Sequence, residues 1–80
     1  MEATLKEAIE AVEFRCRQRL GHLGRVVTNT RDFDWRLGVG LMLPDKRRHA
    51  VDGDSDDAIA DPVAFADWAS DELLKWHAKL

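Results

Sequence analysis

Carboxylates are the residues of this 80-residue chain whose number and spacing are best suited to chemistry or binding. Between Asp52 and Glu72 the sequence has eight acidic residues and no Lys or Arg. The first fifty residues have ten Lys or Arg against seven Asp or Glu, so the formal net charge of -3 conceals two segments of opposite sign. Charge segregation of this kind controls which partners approach and in what orientation. It predicts binding rather than catalysis.

The acidic run begins like a calcium-binding loop but does not continue as one. The alternating carboxylates of Asp52-Gly53-Asp54-Ser55-Asp56-Asp57 match the start of an EF-hand loop. Asp57 then occupies the position that needs glycine, and Val63 occupies the position that needs a bidentate glutamate. No metal site is predicted.

An extended backbone would turn the same residues into a row of charges. Residues two apart in a strand lie about 6.6–7 Å apart on one side, so Asp52, Asp54 and Asp56 would be spaced like phosphates along a nucleic-acid strand. Such a row fits a protein groove whose Lys and Arg normally contact phosphates. The alternative is a short acidic loop that merely keeps the connection soluble. The predicted partner-binding residues are Asp52, Asp54, Asp56, Asp57, Asp67, Asp71 and Glu72.

No residue pattern indicates an enzyme, and no catalytic residue or cofactor is predicted. His22, His49 and His77 lie in three different predicted elements without the spacing of metal ligands. Cys16 is the single cysteine and falls at an apolar helical position, which favours a buried thiol in a reducing compartment. The longest uncharged apolar stretch is far too short to span a membrane. We expect a soluble protein of the bacterial cytoplasm.

Two helices and three strands are expected to position these residues. Apolar residues recur at spacings of three and four from Leu5 to Leu20, and Thr4 with Glu7 forms a capping-box pattern at the start. Asp61-Pro62 marks the start of a second helix. Strands are predicted at 25–29, 35–43 and 47–52, followed by an acidic loop. The prediction is one α+β domain, residues 1–80, with two helices packed on a three-stranded antiparallel sheet in the order α-β-β-β-α.

Two further interpretations remain open at this point. Phe14 and Leu74 lie off the apolar stripes of their helices, so they are possible interface anchors, and a homodimeric interaction module centred on either is one alternative. The other alternative is a small nucleic-acid-binding or regulatory protein that uses Arg15, Arg19, Arg47 and Arg48. Isolated apolar residues are also common on protein surfaces.

From the second half of the strand region onward, the sequence resembles small phage-encoded anti-CRISPR proteins that act on type I Cascade complexes. The resemblance rests on His49-Ala50-Val51-Asp52, the acidic run Gly53-Asp54-Ser55-Asp56-Asp57, and Phe65-Ala66-Asp67-Trp68 followed by Asp71-Glu72. It implies a phage protein that mimics DNA, binds a basic surface of a Cascade subunit and blocks target DNA. The basic first half departs from the acidic character of such mimics, and an insertion that includes Pro62 shifts the acidic run relative to the helix.

Overall fold

The computed structural model describes residues 4–80 and confirms the predicted α+β architecture and element order. It contains one element more than predicted, a short helix within the segment expected to be an acidic loop. The elements are α1 (Leu5–Leu20), β1 (Arg25–Arg31), β2 (Arg36–Met42), β3 (Arg48–Asp54), α2 (Ser55–Ala60) and α3 (Pro62–Ala78).

Both predicted helix starts are confirmed by their capping hydrogen bonds. At α1 the Thr4 hydroxyl accepts from the Glu7 amide at 3.2 Å, and the Glu7 carboxylate accepts from the Thr4 amide at 3.2 Å. At α3 the Asp61 carboxylate accepts from the Ala64 amide at 3.1 Å, with Pro62 at the first helical position. These contacts satisfy amides that have no partner within the helix.

The sheet has the order β1-β2-β3 with both pairs antiparallel. Val39 of the central strand lies opposite Thr28 of β1 and Val51 of β3. Leu37, Val39 and Leu41 face the helices and are buried. A Cβ at Gly38, on the other face, would first meet atoms of the neighbouring strands at 3.6–3.7 Å. The bare glycine positions of β2 therefore lie on the sheet face that carries no helix.

The core forms between the inner sheet face and the helices. Helices α1 and α3 lie side by side and run in the same direction, since Arg15 pairs with Asp67 and Arg19 pairs with Asp71. Their apolar residues and those of the sheet make one buried cluster, whose largest fully buried side chains are Leu20, Leu37, Leu41 and Leu73. Within residues 4–80, no helix combines the length and the apolar character needed to cross a bilayer.

Candidate partner-binding surface

The predicted acidic residues divide into two groups, and the first group is neutralised within the protein. Asp67 and Asp71 of α3 lie on the side of the helix that contacts α1, and both are partly exposed. The Arg15 Nε donates to Asp67 at 2.8 Å, and Arg19 lies 3.6 Å from Asp67 and 2.7 Å from Asp71. The hydrogen bond from Arg15 and the positive charge of both arginines lower the pKa of Asp67. Asp67 and Asp71 therefore stabilise the contact between the two long helices.

Asp52 and Glu72 are neutralised in the same way. Arg31 of β1 reaches across the central strand to the Asp52 carboxylate of β3 at 2.6 Å, and the Arg36 Nε lies 3.8 Å from it. The bare backbone of Gly38, which pairs with Asp52, leaves the space that this cross-sheet contact needs. Glu72 pairs with Lys75 at 3.3 Å within α3.

The second group consists of Asp54, Asp56 and Asp57, and the structure adds Asp61, which was predicted only as a helix start; none of these four carboxylates makes an ion pair within residues 4–80. Asp54 caps α2 by accepting from the Asp56 amide at 2.8 Å, and Asp61 caps α3. Asp56 and Asp57 are exposed in the first turn of α2, where the positive end of the helix dipole favours negative charge. Uncompensated negative charge is thus concentrated at the start of two consecutive helices.

The prediction of an extended acidic row is wrong beyond Asp54. Asp52 and Asp54 lie on one face of β3, but the chain becomes helical at Ser55, so Asp56 and Asp57 belong to α2. The physical cause is the Asp54 cap, which satisfies a first-turn amide and starts a helix where alternating carboxylates alone suggest extension. The carboxylates form a cluster around a helix start, not a line.

A cleft of about 500 Å³ opens beside this cluster, between β3 and the two C-terminal helices. Its apolar wall is formed by Ala64, Phe65 and Trp68, and the two aromatic rings meet edge to face at 5.5 Å. Its lining also includes Arg36, Asp52, Gly53, Asp54, Asp57 and Asp61. An apolar wall with four carboxylates and one guanidinium around it suits a ligand with a hydrocarbon portion and a positive charge.

The connection between β1 and β2 lies at the same end of the sheet and exposes two aromatic side chains. Asp32, Phe33 and Asp34 have φ angles of 54°, 55° and 70°. Phe33 is 98% exposed and Trp35 is 62% exposed. The Ser55 amide at the start of α2 donates to the Trp35 carbonyl at 2.9 Å, which ties this loop to the acidic cluster.

Sequence patterns did not identify Phe33 or Trp35 as surface residues. Trp35 extends the alternation of the apolar residues of β2, so it was predicted to begin that strand. The segment Asp32-Phe33-Asp34 between two strands could have indicated an exposed turn. It has no glycine, but aspartate tolerates the left-handed backbone conformation that such a turn needs.

The two predicted interface anchors differ in exposure. Phe14 is 65% exposed on α1. Leu74 does not stand free on the surface; it is half-buried and packs against the core. Because α3 contacts both α1 and the sheet, its buried arc is wider than the single stripe that helical spacing predicts.

Several of the basic residues considered for nucleic-acid binding are engaged within the protein. Arg15 and Arg19 pair with carboxylates of α3, and Arg47 pairs with Asp45 at 2.6 Å. The pKa of Asp45 is lowered by its hydrogen bonds with Arg47. Arg48 remains exposed at the start of β3.

Two findings concern the titratable groups in the described part of the chain. Among residues 4–80, no group of three or more His, Cys, Asp or Glu side chains is placed to hold a metal ion. Cys16 is fully buried between α1 and α3, and desolvation raises the pKa of its thiol to about 11. A thiol with that pKa is a poor nucleophile at neutral pH.

No protein-family model matches this chain, and neither a curated protein nor a solved structure matches it significantly. The function is therefore inferred from the geometry and charges of the chain itself.

Proposed function

We propose that this protein is a non-enzymatic inhibitor that binds a basic, nucleic-acid-binding surface of a protein partner and excludes the nucleic acid. The observation that carries this proposal is the acidic cluster of Asp54, Asp56, Asp57 and Asp61 at one end of the sheet, which makes no ion pair with any of residues 4–80. A surface that contacts phosphates presents Lys and Arg at close spacing. Clustered carboxylates compete for the same cations.

The partner proposed is a subunit of a type I CRISPR Cascade complex, as the resemblance to phage anti-CRISPR proteins implies. The neutralised residues change how such a mimic would work here. Asp67 and Asp71 are occupied by Arg15 and Arg19, so the binding charge comes from α2 and its two flanking caps. Exposed aromatic residues beside the cluster supply the apolar contacts that a purely acidic mimic lacks.

The direct test is a gel shift of target DNA with purified type I Cascade complexes in the presence of this protein. We expect the Cascade–DNA band to be lost, and the inhibition to weaken steeply as salt rises, because exposed charges are screened over about 10 Å at 0.1 M ionic strength. Intact DNA binding across a panel of complexes would contradict the proposal. The protein incubated with DNA alone separates it from the nucleic-acid-binding alternative, which expects a shifted band in that control.

A matched pair of charge reversals locates the binding surface. Asp57→Lys reverses an exposed carboxylate of the cluster, while Glu10→Lys makes the same change on an exposed position of α1. Inhibition should fall about tenfold or more for Asp57→Lys and less than twofold for Glu10→Lys. Equal losses would show that net charge, not the cluster, determines binding.

A further inference from the structure

The cleft beside the acidic cluster has the composition that recognises one particular cationic side chain. An arginine has a hydrocarbon stem that packs on apolar surface and a planar guanidinium that stacks on aromatic rings and binds carboxylates. The wall formed by Ala64, Phe65 and Trp68 offers apolar surface for the stem. The ring of Trp68, which is 42% exposed, offers an aromatic face on which a guanidinium can stack. The rim carboxylates of Asp57 and Asp61 complete the set.

The charge around the cleft leaves room for an additional cation. Asp52 is already bound by Arg31 and Arg36. Asp54, Asp57 and Asp61 line the same cleft and make no ion pair within residues 4–80. Arg36 also lines the cleft, but its guanidinium contacts Asp52, which leaves the other three carboxylates for a further cation.

We propose that this cleft binds an arginine side chain presented by the basic protein partner. The guanidinium stacks against Trp68 and is held by the rim carboxylates, while the stem lies on Ala64 and Phe65. The inference rests on the proposed function and specifies its anchor. It requires arginine rather than lysine, because the planar group gains both stacking and directional hydrogen bonds. A nucleic acid is disfavoured as the occupant, since the rim carboxylates repel phosphates.

The experiment is an NMR titration of the ¹⁵N-labelled protein with a blocked tetra-arginine peptide. We expect the Trp68 indole N–H signal to shift and saturate while that of Trp76 stays in place. Trp76 is an internal control, because it lies away from the cleft. It stacks on His49 with ring centroids 5.4 Å apart, and His49 is roughly 16 Å along β3 from Asp54. A tetra-citrulline peptide, neutral but of nearly the same shape, should cause no shift. A tetra-lysine peptide should bind at least about threefold more weakly.

Equal affinity for the lysine and arginine peptides would overturn the inference, because simple charge attraction would then account for binding. The same conclusion follows if Trp76 shifts as much as Trp68, or if the citrulline peptide binds. A tetra-thymidylate titration that shifts the Trp68 signal would assign the cleft to nucleic acid instead.

Variants separate the aromatic and acidic contributions. Trp68→Ala should weaken tetra-arginine binding about tenfold, and Trp68→Phe, which keeps a ring, should lose less. Phe14→Ala removes an exposed aromatic residue of α1 that does not line the cleft and should leave affinity unchanged. Asp61→Asn removes a rim charge but keeps a good helix cap, so a two- to fivefold loss is expected with the fold intact. Unchanged binding in both Trp68→Ala and Asp61→Asn would contradict the site.

The peptide titration and the Cascade assay can fail independently. Peptide binding without Cascade inhibition would retain the arginine site and remove the proposed partner. Inhibition that survives Trp68→Ala, together with no peptide binding, would retain the partner and remove the arginine anchor.

Discussion

The Arg15 guanidinium of α1 donates to the Asp67 carboxylate of α3 over 2.8 Å, joining two helices that are separated by the whole sheet in the sequence. With Arg19, which contacts Asp67 and Asp71, it binds part of the negative charge that the sequence places in the last third of the chain. The contact therefore contributes to the tertiary structure and also decides which carboxylates stay without an ion pair among residues 4–80.

The first prediction concerns the acid sensitivity of this contact. The pKa of Asp67 in the folded protein is lowered by its hydrogen bond to Arg15, so its stabilising contribution is complete above the ordinary aspartate pKa of about 3.9. That contribution is lost as pH falls through the lower folded-state pKa. Wild type should lose unfolding free energy below about pH 4 more steeply than Asp67→Asn. Denaturant unfolding between pH 6 and 2.5 measures this, and a steeper acid limb in the variant would contradict the assignment. Arg15→Gln, which removes the partner of Asp67, should likewise make the loss of unfolding free energy below about pH 4 less steep than in wild type.

Two buried serines should respond oppositely to the same substitution. The Ser55 hydroxyl is buried and has no hydrogen-bond partner within residues 4–80, whereas the Ser70 hydroxyl donates to the Ala66 carbonyl at 2.7 Å and accepts from Arg19. Ser55→Ala should raise the unfolding free energy by about 1 kcal/mol, because it removes an unsatisfied polar group from a helix. Ser70→Ala should lower it by about 1 kcal/mol, because Arg19 loses one of its hydrogen-bond acceptors while Asp67 and Asp71 remain. Urea melts give both values, and a destabilised Ser55→Ala protein would indicate that this hydroxyl has a partner after all.

Two strand glycines form a second matched pair. A Cβ at Gly53 would lie 2.7 Å from the Phe65 Cε2 and 3.2 Å from the Trp68 ring, whereas one at Gly38 would meet nothing closer than 3.6 Å. Gly53→Ala should therefore lower stability by about 1–3 kcal/mol and disturb the aromatic wall of the cleft. Gly38→Ala should change stability by less than about 0.5 kcal/mol or raise it slightly. Thermal melts with near-UV circular dichroism would detect both effects, and equal costs would contradict the close approach at Gly53.

The buried thiol should be protected from reagents. Cys16 is fully buried, and its pKa of about 11 leaves about a thousandth or less of it as thiolate at pH 8. Ellman's reagent should react with the native protein at least about a hundredfold more slowly than with the protein in 6 M guanidinium chloride. Rapid stoichiometric reaction of the native protein would show that α1 and α3 separate readily.

Phe33, in the loop between β1 and β2, should contribute little to the unfolding free energy of the protein. Phe33 has a φ of 55° and is almost fully exposed, so its side chain gains little from packing. Phe33→Gly relieves about 1 kcal/mol of backbone strain but adds freedom to the unfolded chain. The net change in unfolding free energy should lie between zero and about +1 kcal/mol. Urea melts measure it, with Phe14→Ala as a comparison that removes another exposed aromatic ring. A loss above 1 kcal/mol would mean that Phe33 packs on the protein.

Local patterns were sufficient to predict the order of the long elements. The Thr4–Glu7 capping box, the Asp61-Pro62 helix start and the alternation through Leu37, Val39 and Leu41 depend on neighbours close in sequence, and the structure has all three. The helix α2 was not predicted, because six residues with two adjacent carboxylates resemble a loop when the Asp54 cap is not considered.

The proposed binding surface was less predictable, because its charge depends on contacts between distant residues. A sequence gives the sign of Asp67 and Asp71 but not the position of Arg15 and Arg19 against them. Likewise, no local pattern places Trp68 beside Gly53 or brings the Trp35 loop to the start of α2. Charge composition therefore predicted an acidic surface that included Asp52, Asp67 and Asp71, whereas the structure pairs these three with arginines.

The parallel pairing of α1 and α3 also determines when the chain can complete its fold during synthesis. The apolar stripe of α1 is made first, yet Leu73 and the other α3 residues that cover it emerge only after all three strands. At roughly 5–20 residues per second, a ribosome leaves that stripe uncovered for several seconds. Since the closing contacts link residues about fifty positions apart, folding waits for the last helix and proceeds more slowly than in a bundle of local contacts. The newly made protein is thus most vulnerable to aggregation and proteolysis before α3 docks, a period that a chaperone able to hold an exposed amphipathic helix would protect.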